Sequence, residues 1–306
     1  MKRTAGQLVY AVLVLLVSSI AVFYAIRLSG GDSSAAALPG TATPEFREEF
    51  RERLGLNEPI YQQYFTFIGK VVSGNPGTSL TNNAPLTKML KIHGQNSLIL
   101  GGAAFGLVFA IGIPLGMIAS LRRNSWTDHG IMSFSTVAMA IPNFWLALLA
   151  VWLFASTLGW LPAAGCCSLK QLVLPAVVLA FEGIALTVRM TRSSMIESQN
   201  SDYVRTLRAG GISEWRITGK HVLRNAMIPI ITRVATTLPF LITGSFLLER
   251  YFGIPGMGQF MVQAIFARDF MSVQGAVLLM ALAVLFANLM TDLCYAWLDP
   301  RIRYDD

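Results

Sequence analysis

The chain has 306 residues, of which 54% are hydrophobic and only 13% are charged, and its mean hydropathy is +0.54. These values exclude an ordinary soluble domain and predict a polytopic membrane protein. The net charge of +7 does not indicate a nucleic-acid partner, because the basic residues flank apolar segments, where they orient a membrane protein. The three cysteines form neither a disulfide framework nor a metal-binding spacing, and we interpret the adjacent Cys166 and Cys167 as two small residues, with a strained vicinal disulfide as the alternative.

The first apolar segment follows Met1-Lys2-Arg3 and is uncharged over residues 8–26. It is long enough to cross a bilayer and longer than the core of a signal peptide. The small residues at 33–37 are only a weak cleavage pattern. We therefore predict a retained transmembrane helix within residues 1–28, with a cytoplasmic N-terminus.

Residues 29–95 are polar and mixed, and they predict a small extracytoplasmic cap. The segment 47–56 has a helical pattern, and Asn57-Glu58-Pro59 is expected to end it. A second helix with an aromatic face is expected from Ile60.

Hydropathy predicts five more spans, at about 97–121, 131–159, 171–190, 228–248 and 274–298. The glycines of the first of these spans would let helices approach closely. The next contains Pro142-Asn143 at mid-membrane, which breaks the backbone hydrogen-bond ladder and predicts a kinked or split helix.

The distribution of basic residues orients these six spans. With cytoplasmic termini, the cytoplasmic segments hold 13 Lys and Arg residues and the two short outer loops hold 3. The predicted fold is thus an all-α polytopic membrane protein. It has a first helix (1–28), a cap (29–95) and a five-helix core (96–304) that includes a cytoplasmic loop, 191–227, between helices 4 and 5.

Residues 202–229, called the coupling loop below, are the longest polar interruption in the second half of the chain. Tyr203, Val204 and Leu207 would form one apolar helix face, with Asp202 as N-cap. Arg205 and Arg208 would lie off that face. Gly210-Gly211 is expected to end this helix, and a second amphipathic segment over about 213–227 is expected to direct Trp215, Ile217 and Leu223 toward the membrane.

The order of residues in this loop resembles the coupling loop of binding-protein-dependent ABC importer permeases, in the peptide/nickel branch. The resemblance rests on Asp202–Thr206, Arg208, Ala209, Gly211, His221, Leu223–Ala226 and Pro229. Leu207 and Gly210 depart from the family pattern, in which a small residue and a lysine would be expected. Further similar segments are 54–64, 73–80 (with Asn75 in place of an aspartate), 249–258, 264–270 and 298–304.

The resemblance implies that the loop seats in a groove of an ATPase subunit. The residues assigned to this contact are Asp202, Tyr203, Arg205, Thr206, Arg208, Ala209, Gly211, His221, Arg224 and Asn225. The residues assigned to an outer gate or to the binding-protein face are Gly253, Pro255, Gly256 and Gly258. Expected partners are a second homologous permease, two ATP-binding subunits, an extracytoplasmic solute-binding protein and membrane lipid.

The chain contains no GxxxxGK[ST] nucleotide loop, because Gly219-Lys220-His221 lacks the upstream glycine and the hydroxyl residue. We therefore expect no catalytic residue and no cofactor in this chain, with ATP and Mg on the partner ATPases. By itself the chain would not be an enzyme.

Ionisable residues at membrane depth are candidates for the translocation path. Glu182 either meets a cationic group of the solute or is a structural carboxylate paired with an arginine, and both interpretations stay open. Pro142 and Asn143, at the predicted break, are assigned to the path with it. Arg233 is expected near the inner interface, and Asp292 is expected to pack structurally.

Three alternative functions are weighed. A nickel or metal-chelate importer is open, although the three histidines (93, 129 and 221) form no cluster, so that no metal site is expected in the chain. An ion-coupled secondary transporter would show broken helices in matching halves, and only the third span has the pattern of one. An intramembrane serine hydrolase would need a histidine within a span, which is not found.

Overall fold

The computed structural model describes the backbone of residues 2–28, 38, 43–166 and 168–298, and their side chains except those of 2–12, 233, 240–244 and 292–298. This part of the chain is helical, with one isolated β-bridge between Thr78 and Pro85. The predicted all-α class is confirmed. The similar segment 298–304, the weak cleavage pattern at 33–37, and the side chains of Arg233 and Asp292 lie outside the described residues, apart from the backbone of Leu298.

We number twelve helices in chain order. They are α1 Lys2–Leu28, α2 Pro44–Arg53, α3 Ile60–Val72, α4 Leu86–Leu121, α5 Trp126–Ala140, α6 Asn143–Thr157, α7 Leu169–Gln199, α8 Asp202–Ala209, α9 Glu214–Ala235, α10 Leu238–Tyr251, α11 Met257–Phe266 and α12 Phe270–Leu298. Three of them contain a π-helical stretch, at Val108–Gly112, Val151–Thr157 and Ile217–Val222.

Within the described residues, three helices are long and apolar enough to cross a membrane, at Leu86–Leu121, Leu169–Gln199 and Phe270–Thr291. Helices α5 and α6 form a fourth candidate together, although they are bent by 105° at the break between them. The break falls at Ile141 and Pro142, so the kink predicted from Pro142-Asn143 is confirmed. The count of six spans stays a prediction.

Several helices extend beyond the predicted spans or end within them. Helix α4 begins at Leu86, eleven residues before the predicted second span, and α7 continues to Gln199 rather than ending near residue 190. The predicted fifth span is interrupted at Thr236 and Thr237, between α9 and α10. Pro239 near the start of α10 fits this interruption, because the first turn is the part of a helix that proline favours.

The chain divides into two compact units. Unit 1 contains residues 1–97 and 254–285, and unit 2 contains 98–253 and 286–306. In unit 1, Phe23 of α1 packs edge-on against Tyr64 of α3, with ring centroids 5.3 Å apart, and Ser19 is hydrogen-bonded to the Tyr64 hydroxyl at 2.8 Å. A second cluster joins Leu86, Met257, Phe260 and Ala276.

Unit 2 is organised around α7, against which α4, α5, α6 and α9 pack. Glycines of α4 allow the close approach that the sequence predicts. A Cβ at Gly112 would lie 2.8 Å from Thr187 Cβ, and one at Gly116 would lie 2.5 Å from Thr191 Cβ. Small residues therefore form the seam between α4 and α7.

Candidate coupling loop

The coupling loop begins with α8, whose N-cap is Ser201 with extended backbone angles. The prediction of Asp202 as N-cap is wrong by one position. Asp202 is the first helical residue, where its carboxylate still lies near the partial positive charge of the helix N-terminus.

The end of α8 follows the prediction. Gly211 adopts φ +74°, in the left-handed region that favours glycine. The Ile212 amide donates to the Leu207 carbonyl at 3.2 Å and the Gly211 amide donates to the Arg208 carbonyl at 3.0 Å. This pair of hydrogen bonds is a Schellman motif, and it turns the chain sharply toward α9.

Buried apolar residues anchor the loop on the rest of unit 2. Val204, Ile217 and Val222 are each 0% exposed. Between them, Tyr203 Oη and Ser198 Oγ are hydrogen-bonded at 2.5 Å, and Ser198 Oγ also lies 3.3 Å from the Val222 carbonyl oxygen. The last turn of α7, the first turn of α8 and the π-helical stretch of α9 are thus joined through one serine.

The second half of the loop differs from the prediction. It is not a separate short helix, because α9 runs without a break from Glu214 to Ala235. Trp215 is 84% exposed and Ile217 is buried, and the orientation of Trp215 toward the membrane stays a prediction. The second half of the loop is therefore continuous with the helix that runs to Ala235.

The exposed face of the loop is basic. Arg205, Arg208, Arg216, Lys220 and Arg224 are exposed, together with the Trp215 ring. The other predicted contact residues are less uniform: Thr206, Ala209 and Asn225 are exposed, and His221 is half-buried. The surface combines cations with one large aromatic ring, a composition suited to a protein partner.

One ion pair fixes the corner of the loop. Arg208 Nε lies 2.5 Å from Glu214 Oε1, and Arg208 Nη2 donates to Oε2 at 3.2 Å. The hydrogen bond from Arg208 lowers the pKa of Glu214, and the same bond raises the pKa of Arg208. Both side chains are solvent-exposed, so the pair orients the corner and adds little stability.

The predicted path residues all lie in unit 2. Glu182 is half-buried in the middle of α7, and neither a hydrogen bond nor an ion pair joins its carboxylate to any described residue. Pro142 precedes α6 and Asn143 is its first residue, whose Oδ1 is buried without a hydrogen-bond partner among the described residues. Helices α6 and α7 pack together, but no described hydrogen bond connects Asn143 with Glu182.

The predicted gate residues lie on the turn between α10 and α11. In unit 2, Gly253 has φ +62°, and the carbonyl of the preceding Phe252 accepts from the Gly165 amide at 2.8 Å. In unit 1, the Pro255 carbonyl oxygen lies 2.8 Å from His93 Nδ1 and accepts from Asn96 Nδ2 at 2.9 Å. Gly256 precedes α11, and Gly258 lies in its first turn.

Three carboxylates among the described residues are buried, at Asp128, Glu249 and Asp269, and the sequence did not identify them as buried. Asp128 forms an ion pair with Arg192. In the sequence, Arg192 was only one of the 13 basic residues that orient the spans. Asp269 is 2% exposed and accepts from Ser79 Oγ at 2.5 Å and from the Leu80 amide at 3.1 Å. These hydrogen bonds join two of the segments that resemble the permeases, 73–80 and 264–270. The presence of both segments was the only feature of the sequence that could have indicated this contact.

The interpretation of Cys166 as an unbonded small residue is wrong, because Cys166 is disulfide-bonded. Cys167 lies outside the described residues.

A family model described as "Binding-protein-dependent transport system inner membrane component" matches residues 112–304. The chain belongs to this family. A second model, for the N-terminal part of such membrane components, matches residues 1–87. The recognition based on residues 202–229 is therefore confirmed, and the chain is a membrane component of a binding-protein-dependent transport system.

Curated relatives match this transport-system component over nearly its whole length. A putative peptide transport system permease protein of Brucella abortus is 36% identical over 303 residues, covering 96% of each chain. The dipeptide permease protein DppB of Alkalihalophilus pseudofirmus is 35% identical, covering 97% of this chain and 98% of the relative. The oligopeptide permease protein AppB of Bacillus subtilis is 36% identical, covering 95% and 96%.

Among solved structures, a chain of the MetNI methionine ABC transporter in inward-facing conformations superposes with a TM-score of 0.60. The match covers 69% of this chain and 96% of that chain at 18% identity. At this identity the likeness concerns the fold alone.

Proposed function

We propose that the chain is the permease subunit of an ATP-driven importer that moves di- and oligopeptides from an extracytoplasmic binding protein across the inner membrane. Its full-length relatives named as peptide, dipeptide and oligopeptide permeases support this substrate class. The complete transporter would contain a second homologous permease and two ATPase subunits, which bind ATP and Mg. Both termini of this chain and the coupling loop would face the cytoplasm.

The observation that carries the proposal is the anchored basic surface of the coupling loop. Its cations and Trp215 are exposed, while Val204, Ile217 and Val222 are buried and Ser198 of α7 is hydrogen-bonded to Tyr203 and to the Val222 carbonyl. A surface that is presented to solvent and yet fixed to two long helices is suited to receive a mechanical movement from a docked partner.

Energy would reach the membrane helices by a change between two states. Closure of the ATPases would move the docked α8, and Ser198 would transmit the movement to α7 and α9 together, because its hydroxyl is bonded to both sides of the loop. Such rigid-body movement of helices around a central pathway is a common switching mode of transporters.

Glu182 would line the pathway. An ionisable group at membrane depth costs about 2.5–3.5 kcal/mol on insertion scales, so that it normally faces a cavity or a partner. Among the described residues Glu182 has no ion-pair partner, which is compatible with a position on the pathway. Glu182→Gln should reduce uptake of lysine-containing dipeptides more than uptake of dialanine. Equal reduction of both would assign the carboxylate a structural role.

Uptake of labelled solutes tests the proposed function. Cells that lack the chromosomal copy would be complemented with the wild-type chain, Arg208→Ala, or Arg123→Ala, which removes an exposed arginine outside the coupling loop. We expect dipeptide uptake with the wild type and with Arg123→Ala, and its loss with Arg208→Ala at unchanged membrane levels. Uptake of chelated nickel in place of peptides would overturn the substrate class, and full uptake with Arg208→Ala would overturn the docking role.

A further inference from the structure

A polar cavity of about 240 Å³ lies in unit 1, where the C-terminal end of α1 meets α3 and the N-terminal end of α12. Three helices supply its walls through residues on one face each. These residues are Phe23 and Arg27 of α1, Gln63, Thr66 and Lys70 of α3, and Met271 and Gln274 of α12. Glu52 and Arg53, at the end of α2, and Glu58 complete its charged rim.

Gln274 lines this cavity with a buried amide whose hydrogen bonds are not satisfied. Its side chain is 4% exposed, and neither its Nε2 nor its Oε1 has a hydrogen-bond partner among the described residues. Gln63 also lacks one hydrogen-bond partner. Its Nε2 donates to the Leu56 and Glu58 carbonyl oxygens, whereas its buried Oε1 has no described partner. Buried amides without partners are costly, and a native protein normally satisfies them with a bound group.

Two cavities border Gln274, and only the polar one can hold a group larger than water. The other is an apolar pocket lined by Ser19, Val22 and Leu278 among others, with a volume of about 10 Å³, enough for one water. The polar cavity is about twenty-four times larger. It is nevertheless below the range of about 300–1,000 Å³ that drug-sized ligands occupy, so a compact group fits it better.

The charges around the cavity indicate the chemistry of that group. Arg27, Arg53 and Lys70 can bind an anionic oxygen group, and the Arg27 guanidinium lies 5.3 Å from the centroid of the Phe23 ring on the cavity wall. Glu52 and Glu58 can accept hydrogen bonds from an ammonium group. The Gln274 amide can donate to the first group and accept from the second.

We propose that this cavity binds a compact zwitterion, and that its source is the phosphoethanolamine headgroup of a membrane lipid. The position favours a lipid, because the cavity lies at the ends of two apolar helices, Leu13–Leu28 and Phe270–Thr291. The end of a membrane helix lies at the depth of the headgroups. A free amino acid or dipeptide carries the same two charged groups, and the experiment separates the two sources.

The test uses the full-length chain with its copurifying subunits, delipidated in detergent. Binding of phosphatidylethanolamine, phosphatidylglycerol or dialanine would be followed by native mass spectrometry and by the shift in thermal unfolding temperature. Gln274→Leu and Lys70→Gln remove the proposed contacts. Gln62→Leu and Lys91→Gln change the same residue types at exposed positions that do not line the cavity.

We expect phosphatidylethanolamine to bind and to stabilise the wild type and both control variants, and its affinity to fall by about tenfold in Gln274→Leu and in Lys70→Gln. Binding of dialanine instead, with the same dependence on Gln274, would keep the zwitterion site and assign it a soluble ligand. Equal affinity for phosphatidylglycerol would overturn the proposal. Unchanged binding in Gln274→Leu would also overturn it. A third contradicting outcome is that no ligand binds to the wild type while Gln274→Leu unfolds at a higher temperature, because the cavity would then hold only water.

Discussion

Arg192 of α7 and Asp128 of α5 form a bidentate ion pair, with Nε 2.6 Å from Oδ1 and Nη2 2.7 Å from Oδ2. The Asn124 amide also donates to Asp128 Oδ2, at 2.9 Å. The Asp128 side chain is 1% exposed, and the Arg192 side chain is 24% exposed. Arg192 lies about two helical turns before the end of α7, where the coupling loop begins, so the pair links that end of α7 to α5.

Removing one charge of this pair should destabilise unit 2. Asp128→Asn leaves a largely buried guanidinium without its carboxylate, and we expect a loss of about 3 kcal/mol in the free energy of unfolding. The value lies at the lower end for buried pairs because Arg192 retains some contact with solvent. Thermal unfolding in detergent measures the effect.

The matched control is Asp202→Asn, which breaks the exposed pair between Asp202 and Arg205, where the atoms are 3.5 Å apart. Exposed pairs contribute little, so the unfolding temperature should not change measurably. Equal shifts for the two variants would show that the Asp128 pair is not a stabilising link.

The seam between α4 and α7 makes a second prediction. In Gly116→Ala, the new methyl carbon would lie 2.7 Å from the Val188 carbonyl oxygen, so the helices must separate, and we expect a loss of about 1–3 kcal/mol. Gly130→Ala on α5 is the control, because nothing lies within 4 Å of its added carbon. If both variants unfold at the wild-type temperature, close packing at Gly116 does not stabilise the protein.

Local patterns predicted much of this fold. The break at Pro142-Asn143, the helix start at Ile60 and the helix end at Gly210-Gly211 follow from backbone chemistry that depends on a few adjacent residues. The start of α4 at Leu86 was missed because its first turns are polar and hydropathy registers only the apolar part. The length of α9 was misjudged because the local pattern of residues 213–227 does not show that the helix continues to Ala235.

The conformation of Gly211 makes a third prediction. Alanine at a φ of +74° costs about 1–2 kcal/mol, whereas Gly210 has a φ of −77°, which alanine adopts readily. Gly211→Ala should therefore displace the corner and reduce solute uptake, while Gly210→Ala should transport like the wild type. The comparison is made in whole-cell uptake assays at equal membrane levels. Equal activity of both variants would show that the corner geometry is dispensable.

The Arg208–Glu214 pair predicts a pH dependence. Because the pKa of Glu214 is lowered in the folded loop, the ordering effect of the pair is present above the ordinary pKa of glutamate and is lost as the pH falls through the lowered value. Amide exchange of residues 210–213, corrected for the intrinsic rate, should accelerate on acidification. In Glu214→Gln the corrected exchange should be fast at every pH, and a pH-dependent change in that variant would contradict the assignment to Glu214.

The carboxylate contacts of the candidate site could not be read from the sequence in the same way. The ion pair of Asp128 with Arg192 and the bond of Asp269 with Ser79 join residues far apart in the chain, and only the fold sets their distance. Residue types alone left Glu182 with two possible roles, because a single sequence does not reveal which arginines lie near it.

Cross-linking from the coupling loop tests the central claim most directly. Arg205→Cys places a thiol on an exposed position of α8, and Lys170→Cys places one on an exposed position in the first turn of α7, at the end predicted to lie outside. With a short thiol–amine cross-linker, the account predicts that the chain carrying Arg205→Cys becomes linked to a copurifying ATP-binding subunit and that the chain carrying Lys170→Cys does not. A link from position 170 to the ATPase, or none from position 205 in the assembled transporter, would contradict it.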